Sequence, residues 1–182
     1  PTHLSANCHS HESRTLMNND INLVLASNPS AAHGLAVTVR STLENCTRPC
    51  NVYVLSSNFT ADLKDRLQQS WDTKATGGIQ FIDIDQDIIS GFRLVHGNLR
   101  HKETYLKYFI GDLLPSDVTR CIFMDIDLLV TDDLSDVYHT NLHGNIIGAV
   151  RDISTQSAAL TERRRKTFGL KNPRRYFNGG FF

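Results

Sequence analysis

No stretch of the 182 residues reaches the ~20 consecutive apolar positions that a membrane-spanning helix needs, and the longest apolar run, Cys121 to Val130, is broken by two aspartates. The sequence therefore offers no candidate transmembrane helix. An excess of either charge is also missing: nineteen Lys and Arg balance nineteen Asp and Glu, which removes the usual electrostatic argument for a nucleic-acid partner. The one basic cluster, Arg163-Arg164-Arg165-Lys166, reads first as a solvated helix face and second as a contact for an anionic substrate. The four cysteines, Cys8, Cys46, Cys50 and Cys121, lack the C-x2-C pairs of a zinc site. Cys121 reads as a free thiol in an apolar strand, while a loop bridge between Cys46 and Cys50 stays open. No internal repeat is present.

What is there is a rhythm of short apolar runs and amphipathic stretches, enough for one domain with a buried core. Residues 1–20 are polar, rich in His, Ser and Asn and without periodicity, and are expected to be a flexible leader in which His9 and His11 are solvated. The chain begins with Pro1 and ends on apolar Phe181-Phe182, so both ends are expected to be fragment boundaries. From Ile21 to Ala26 an apolar run predicts a strand, which Asn28-Pro29-Ser30 breaks, with Ser30 as a candidate helix cap. A helix with Leu35, Val39, Thr42 and Leu43 on one face should follow and stop before Pro49. Asn51 to Leu55 predicts the second strand, and Thr60 caps a helix whose Leu63, Leu67 and Trp71 recur every four residues. Gly77-Gly78 should close that unit, followed by a strand over Ile79–Ile84, a helix over Lys102–Leu114 and a strand over Cys121–Met124. Alternating strands and helices predict an α/β fold with a mostly parallel central sheet and helices on both faces, and ligands outside the carboxyl ends of the strands.

The chemistry concentrates in Cys121-Ile122-Phe123-Met124-Asp125-Ile126-Asp127-Leu128-Leu129-Val130, where two carboxylates interrupt an apolar run. In an extended segment Asp125 and Asp127 point to the same side, so their oxygens converge on one hard divalent cation, Mg2+ or Mn2+. Such a cation neutralises the charge on a departing nucleoside diphosphate. The competing reading is a pair of aspartates that cap the turn after the strand, with help from Asp132 and Asp133.

Taken with its flanking segments, this motif resembles glycosyltransferase family 8, the retaining group of GT-A enzymes. The resemblance runs from Ile21 to the end through four stretches in order: Leu23-Val24-Leu25-Ala26-Ser27-Asn28, Ile79-Gln80-Phe81-Ile82-Asp83-Ile84, Phe123 to Val130, and Tyr176-Phe177-Asn178-Gly179-Gly180. It implies a GT-A, Rossmann-like nucleotide-diphospho-sugar transferase domain over residues 21–182. The implied activity moves a hexose or pentose from a UDP-sugar donor to a hydroxyl of a glycan, glycolipid or glycoprotein acceptor, with Mn2+ or Mg2+ as cofactor. Asp125 and Asp127 match the metal-binding D-x-D, and Lys107 falls where the family often has an Arg beside the donor diphosphate. Ala26, Ser27, Asn28, Ser30, Asp125 and Ile126 are implied nucleotide contacts. Asp152, Asn178, Gly179 and Gly180 match sugar-pocket positions.

Three departures bear on that implication. A Lys at position 107 keeps the charge but loses the bidentate fork of Arg. Asn28 and Ala31 stand where the family usually has an acid and an aromatic ring that hold the base, so a stacking contribution on the order of 1 kcal/mol is missing. The family's downstream Asp/Gln pair and C-terminal His, the third metal ligand, have no counterpart in these residues, so weak metal binding is expected. Two other readings stand beside the enzyme: a glycosyltransferase-like domain that binds without turnover, and a haloacid dehalogenase-type phosphatase with Asp125 as nucleophile. The triplets Asn45-Cys46-Thr47 and Asn58-Phe59-Thr60 satisfy the N-glycosylation pattern and fit a secretory or Golgi lumen in a eukaryote, whereas a bacterial chain would be cytoplasmic.

Overall fold

The computed structural model describes residues 20–91, 102–172 and 176–182. Of the leader expected over residues 1–20, only Asp20 falls within them; Cys8, His9 and His11 lie outside. Four parallel strands form one sheet in the order β3-β2-β1-β4, with β1 at Ile21–Ser27, β2 at Cys50–Ser56, β3 at Thr76–Asp83 and β4 at Ile122–Phe123. Parallel neighbours need crossovers, and these are supplied by α1 (Ala32–Asn45), α2 (Ala61–Ser70), α3 (Gln86–Ser90), a 3-10 stretch over Lys102–Phe109 and α4 (Ile110–Leu113). Beyond β4 follow α5 (Ser135–Tyr138), a 3-10 turn at Ile153–Gln156 and α6 (Ala158–Phe168). Among the described residues no helix is long and apolar enough to cross a membrane.

Strand alternation sorts the apolar side chains into two layers. Ile21, Leu23 and Leu25 of β1, with Val52, Val54, Ile122 and Met124, face α1 and α2 and pack on Leu35, Val39, Leu43, Leu67 and the fully buried Trp71. Val24, Leu55 and Phe123 face the other way, onto Ile89, Leu106 and Leu113. Both faces are therefore covered, as expected. Thr60 caps α2 by accepting the Leu63 amide at 3.2 Å. Thr60→Ala should lower stability by about 1 kcal/mol, read from urea unfolding midpoints at constant slope.

Several local expectations need correction. The cap after β1 is Asn28 and not Ser30: Asn28 Oδ1 accepts the Ser30 amide at 3.1 Å and hydroxyl at 2.7 Å, and a short 3-10 turn over Pro29–Ala31 precedes α1. Gly77 and Gly78 lie inside β3, at a register shift opposite Cys50–Val52. A Cβ at Gly77 would come within 2.7 Å of Asn51 Oδ1, which accepts the Gly78 amide, so these glycines serve close approach within the sheet. The helix expected over Lys102–Leu114 is 3-10 over its first eight residues and α-helical only over Ile110–Leu113. Cys46 and Cys50 are free and buried. The Cys50 thiol donates to the Arg48 carbonyl at 3.5 Å. Interaction with Cys50 holds the Cys46 thiol down to about 7, while interaction with Cys46 and burial push Cys50 up. Cys121 is free as expected, its thiol pushed up by burial.

Candidate functional site

Adjacent parallel strands β1 and β4 release their chains at the same edge of the sheet, where Val24 pairs with Phe123. β1 ends on buried Ser27, whose carbonyl accepts the Ser57 amide at 3.3 Å, and the Asn28–Ser30 cap follows. The β4 ladder stops at Phe123, Met124 forms one antiparallel bridge to Phe181, and Ile126-Asp127 turns. Asp125 therefore follows the strand's end and Asp127 sits in the turn after it, which corrects the expectation of one extended segment through both.

Asp125 meets the C-terminal residues here. The Asp125 amide donates to the Gly180 carbonyl at 2.7 Å, and the Gly180 amide donates to Asn178 Oδ1 at 2.7 Å. Lys107 reaches the same place from the 3-10 stretch: its Nζ donates to the Gly179 carbonyl at 2.7 Å, stands 3.8 Å from Asp125 Oδ1 and lies 5.1 Å from the centre of the Phe123 ring. At 13 % exposure Lys107 is no solvated helix residue, whereas Asp125 keeps 43 % of its side chain open. Lys107, Asp125, Asn178, Gly179 and Gly180 thus form one cluster from three distant parts of the chain.

Burial pushes the Asp125 carboxyl above its ordinary value, and the Asp127 charge adds to this; the Lys107 ammonium opposes both. A carboxyl raised in the folded state destabilises the fold once it ionises. In metal-free solution Asp125→Asn should therefore raise Tm at pH 7. The gain should vanish at pH 3, below the unfolded value of ~3.9, where both states hold the proton. Thermal melts of both proteins at the two pH values check this.

Asp152 lies on a neighbouring segment joined to the same cluster. An antiparallel bridge pairs Arg151 with Phe177, the Asn178 amide donates to the Val150 carbonyl at 2.8 Å, and the Asp152 amide to the Tyr176 carbonyl at 3.2 Å. The Asp152 side chain is engaged locally: Oδ1 accepts the Ser154 amide at 2.7 Å and the Ser154 hydroxyl, capping the 3-10 turn. Arg164 stands 3.8 Å from the same oxygen and stacks 3.9 Å from the centre of the Tyr176 ring. The Ser154 bonds hold the Asp152 carboxyl below its ordinary value, with Arg164 assisting. At 19 % exposure Arg164 departs from the solvated face expected of its cluster, while Arg165 and Lys166 pair with Glu162 as surface residues do.

A sequence profile described as Glycosyl transferase family 8 matches residues 22–182. The chain belongs to glycosyltransferase family 8. Among similar proteins, Glycosyltransferase GlyF of Streptococcus pneumoniae is 25% identical over 72% of this chain and 31% of its own length. Probable galacturonosyltransferase-like 4 of Arabidopsis thaliana is 23% identical over 71% of this chain and 37% of its own. The chain thus spans about a third of the length of these curated relatives. The galactosyltransferase LgtC, solved in complex with donor and acceptor sugar analogs, superposes with a TM-score of 0.77 over 88% of this chain and 56% of that one, at 24% identity. The fold is GT-A.

The family 8 motif positions were legible as sequence; their supports were not. Ser57, after β2, is buried and donates to the buried Glu103 at 2.6 Å, four residues before Lys107. Only the adjacency of Glu103 to the Tyr105-Leu106-Lys107 stretch hinted at it. Gly34 of α1 leaves no room beside the Ile126 carbonyl, which an added Cβ would approach to 2.5 Å. A glycine in the first turns of a helix gives no sign of which segment it faces.

Proposed function

We propose that the protein transfers a hexose or pentose from a UDP-sugar to an acceptor hydroxyl with retention at the anomeric carbon, using Mn2+ or Mg2+ at Asp125 and Asp127. The supporting observation is the convergence of Lys107 and Asp125 on the Gly179-Gly180 turn at the carboxyl ends of β1 and β4, the switch edge where such sheets bind ligands.

The donor set suits the cation. Two hard carboxylates, one of them raised by burial and by its neighbour, gain from a divalent charge. Among the described residues no group of three or more His, Cys, Asp or Glu comes together. Asp125 and Asp127 would thus be the ligands from these residues, with the remaining positions left to diphosphate oxygens and water. A bound cation supplies Lewis-acid neutralisation of the diphosphate leaving group. Lys107, fixed by the Gly179 carbonyl, places a second positive charge beside that group. Asn28 presents an amide side chain to the base edge, and Ile126 lies against the ribose. Gly179 and Gly180 let backbone approach the sugar, with Asn178 and Asp152 offering polar atoms to its hydroxyls.

A second reading, binding without turnover, draws on Ala31 and Lys107 in place of the family's ring and guanidinium. Calorimetric titration of the full-length protein with UDP, with and without Mn2+, followed by a donor hydrolysis assay, separates the two. Metal-dependent binding with slow hydrolysis supports the transferase, and binding without hydrolysis supports the second reading. No binding in a folded protein removes the donor site altogether.

A further inference from the structure

Among the described residues no strand lies beside the segment that follows Asp127, yet its backbone is hydrogen-bonded. Gly34, Thr38, Ser41 and Asn45 recur at intervals of four, three and four, so they lie along one face of α1. That face runs beside alternate residues of the aspartate loop. Gly34 sits against the Ile126 carbonyl. Thr38 Oγ1 donates to the Leu128 carbonyl at 2.8 Å and accepts the Leu128 amide at 3.3 Å. Ser41 Oγ accepts the Val130 amide at 3.1 Å, and Asn45 Nδ2 donates to the Val130 carbonyl at 3.0 Å. The amide and the carbonyl of both Leu128 and Val130 are thereby satisfied by side chains of α1. The helix face takes the place of a neighbouring strand.

The hydroxyls on α1 do not all behave alike. Ser41 and Thr42 both donate to the Thr38 carbonyl of their own helix, a common outcome for Ser and Thr in helices. Thr38, fully buried, instead spends its single proton on the carbonyl of Leu128, the residue after Asp127. Asn45, the acceptor of an N-glycosylation triplet, is likewise committed through its amide to the Ser41 and Val130 carbonyls.

We propose that this face of α1 is the device that sets the metal-binding loop, with Thr38 as a positioning residue for Asp127. The proposal rests on the metal role of Asp125 and Asp127. The Asp125 amide donates to the Gly180 carbonyl, so the backbone at Asp125 and the backbone just after Asp127 have separate supports. Outer supports of this kind change metal affinity by roughly ten- to a hundredfold when removed.

The test uses the full-length protein with Thr38→Val, Thr38→Ser and the double variant Asp125→Asn, Asp127→Asn. It reads the Mn2+ concentration giving half-maximal UDP binding. Thr38→Val should raise that concentration about tenfold and leave metal-free UDP binding unchanged, while Thr38→Ser, which keeps the hydroxyl, should stay close to wild type. Wild-type Mn2+ dependence in Thr38→Val overturns the proposal. So does an equal loss in Thr38→Ser, which would point to packing and not the hydrogen bonds. If the double variant keeps the metal response, the metal role itself fails. Amide hydrogen exchange then still decides the seam: faster exchange at Leu128 and Val130 in Thr38→Val retains α1 as the support of this loop, and unchanged exchange overturns it.

Discussion

Replacing Asp125 and Asp127 together by asparagine should lower Mn2+-dependent donor hydrolysis by about a hundredfold or more, with the protein still folded. Asparagine preserves shape and offers neutral oxygens, so packing around Met124 and Gly180 survives while the two negative charges that recruit a divalent ion are gone. The expected loss is that of a main electrostatic stabiliser of leaving-group charge, on the order of 3 kcal/mol in the barrier. Stability should move the other way, because burial and mutual repulsion already disfavour the ionised Asp125. A variant more stable without metal but slower with it would separate a functional charge pair from a turn cap, since removing a cap costs stability. Rates near wild type at saturating Mn2+ would instead assign the aspartates to the turn. Initial rates of UDP release across a Mn2+ series, beside metal-free melting curves, give both numbers.

The layers of this fold could be read from periodicity because burial enforces it. Leu35, Val39, Thr42 and Leu43 had to share a helix face, and the alternation of Leu23, Val24 and Leu25 had to send side chains into opposite layers. Where backbone detail decided, the signals pointed elsewhere. Gly77-Gly78 looks like a terminator, yet Asn51 of the neighbouring strand makes them interior to β3, a contact between residues far apart in the chain. Asn28 outcompetes Ser30 as cap because its longer side chain reaches both the amide and the hydroxyl of Ser30. At the site, the sequence singled out Lys107, Asp125 and Asn178-Gly179-Gly180 by family pattern, and the structure brings them together. The same pattern was silent on Arg164, whose partners Asp152 and Tyr176 are 12 residues away on either side and which reads in isolation as one more basic residue of an exposed run. Thr38 was hidden for a similar reason. Its partner lies 90 residues away, and a threonine on the buried side of a helix looks like core.

Gly180→Val should weaken Mn2+-dependent UDP binding by roughly ten- to a hundredfold, matching the 1–3 kcal/mol that overpacking usually costs. An added Cβ would overlap Asp125 Oδ2, come within 2.9 Å of Asp125 Cγ and crowd Asn178 Oδ1 at 3.1 Å. Gly180 is buried, and its amide and carbonyl are tied to Asn178 and to the Asp125 amide, so its backbone has little freedom to retreat. The carboxylate, partly open to solvent, is the softer partner and would rotate away from both Lys107 and the cation position. Glycine at this position is thus required by the space the carboxylate fills, independently of backbone conformation. Gly179 provides an internal contrast: a Cβ there meets only the flexible tip of Lys107, at 3.5 Å. Gly179→Ala should therefore bind UDP and Mn2+ almost as wild type does, whereas Gly180→Val should not. Equal behaviour of the two variants in the same titration would show that the Asp125 carboxylate does not rest against Gly180 when the donor is bound.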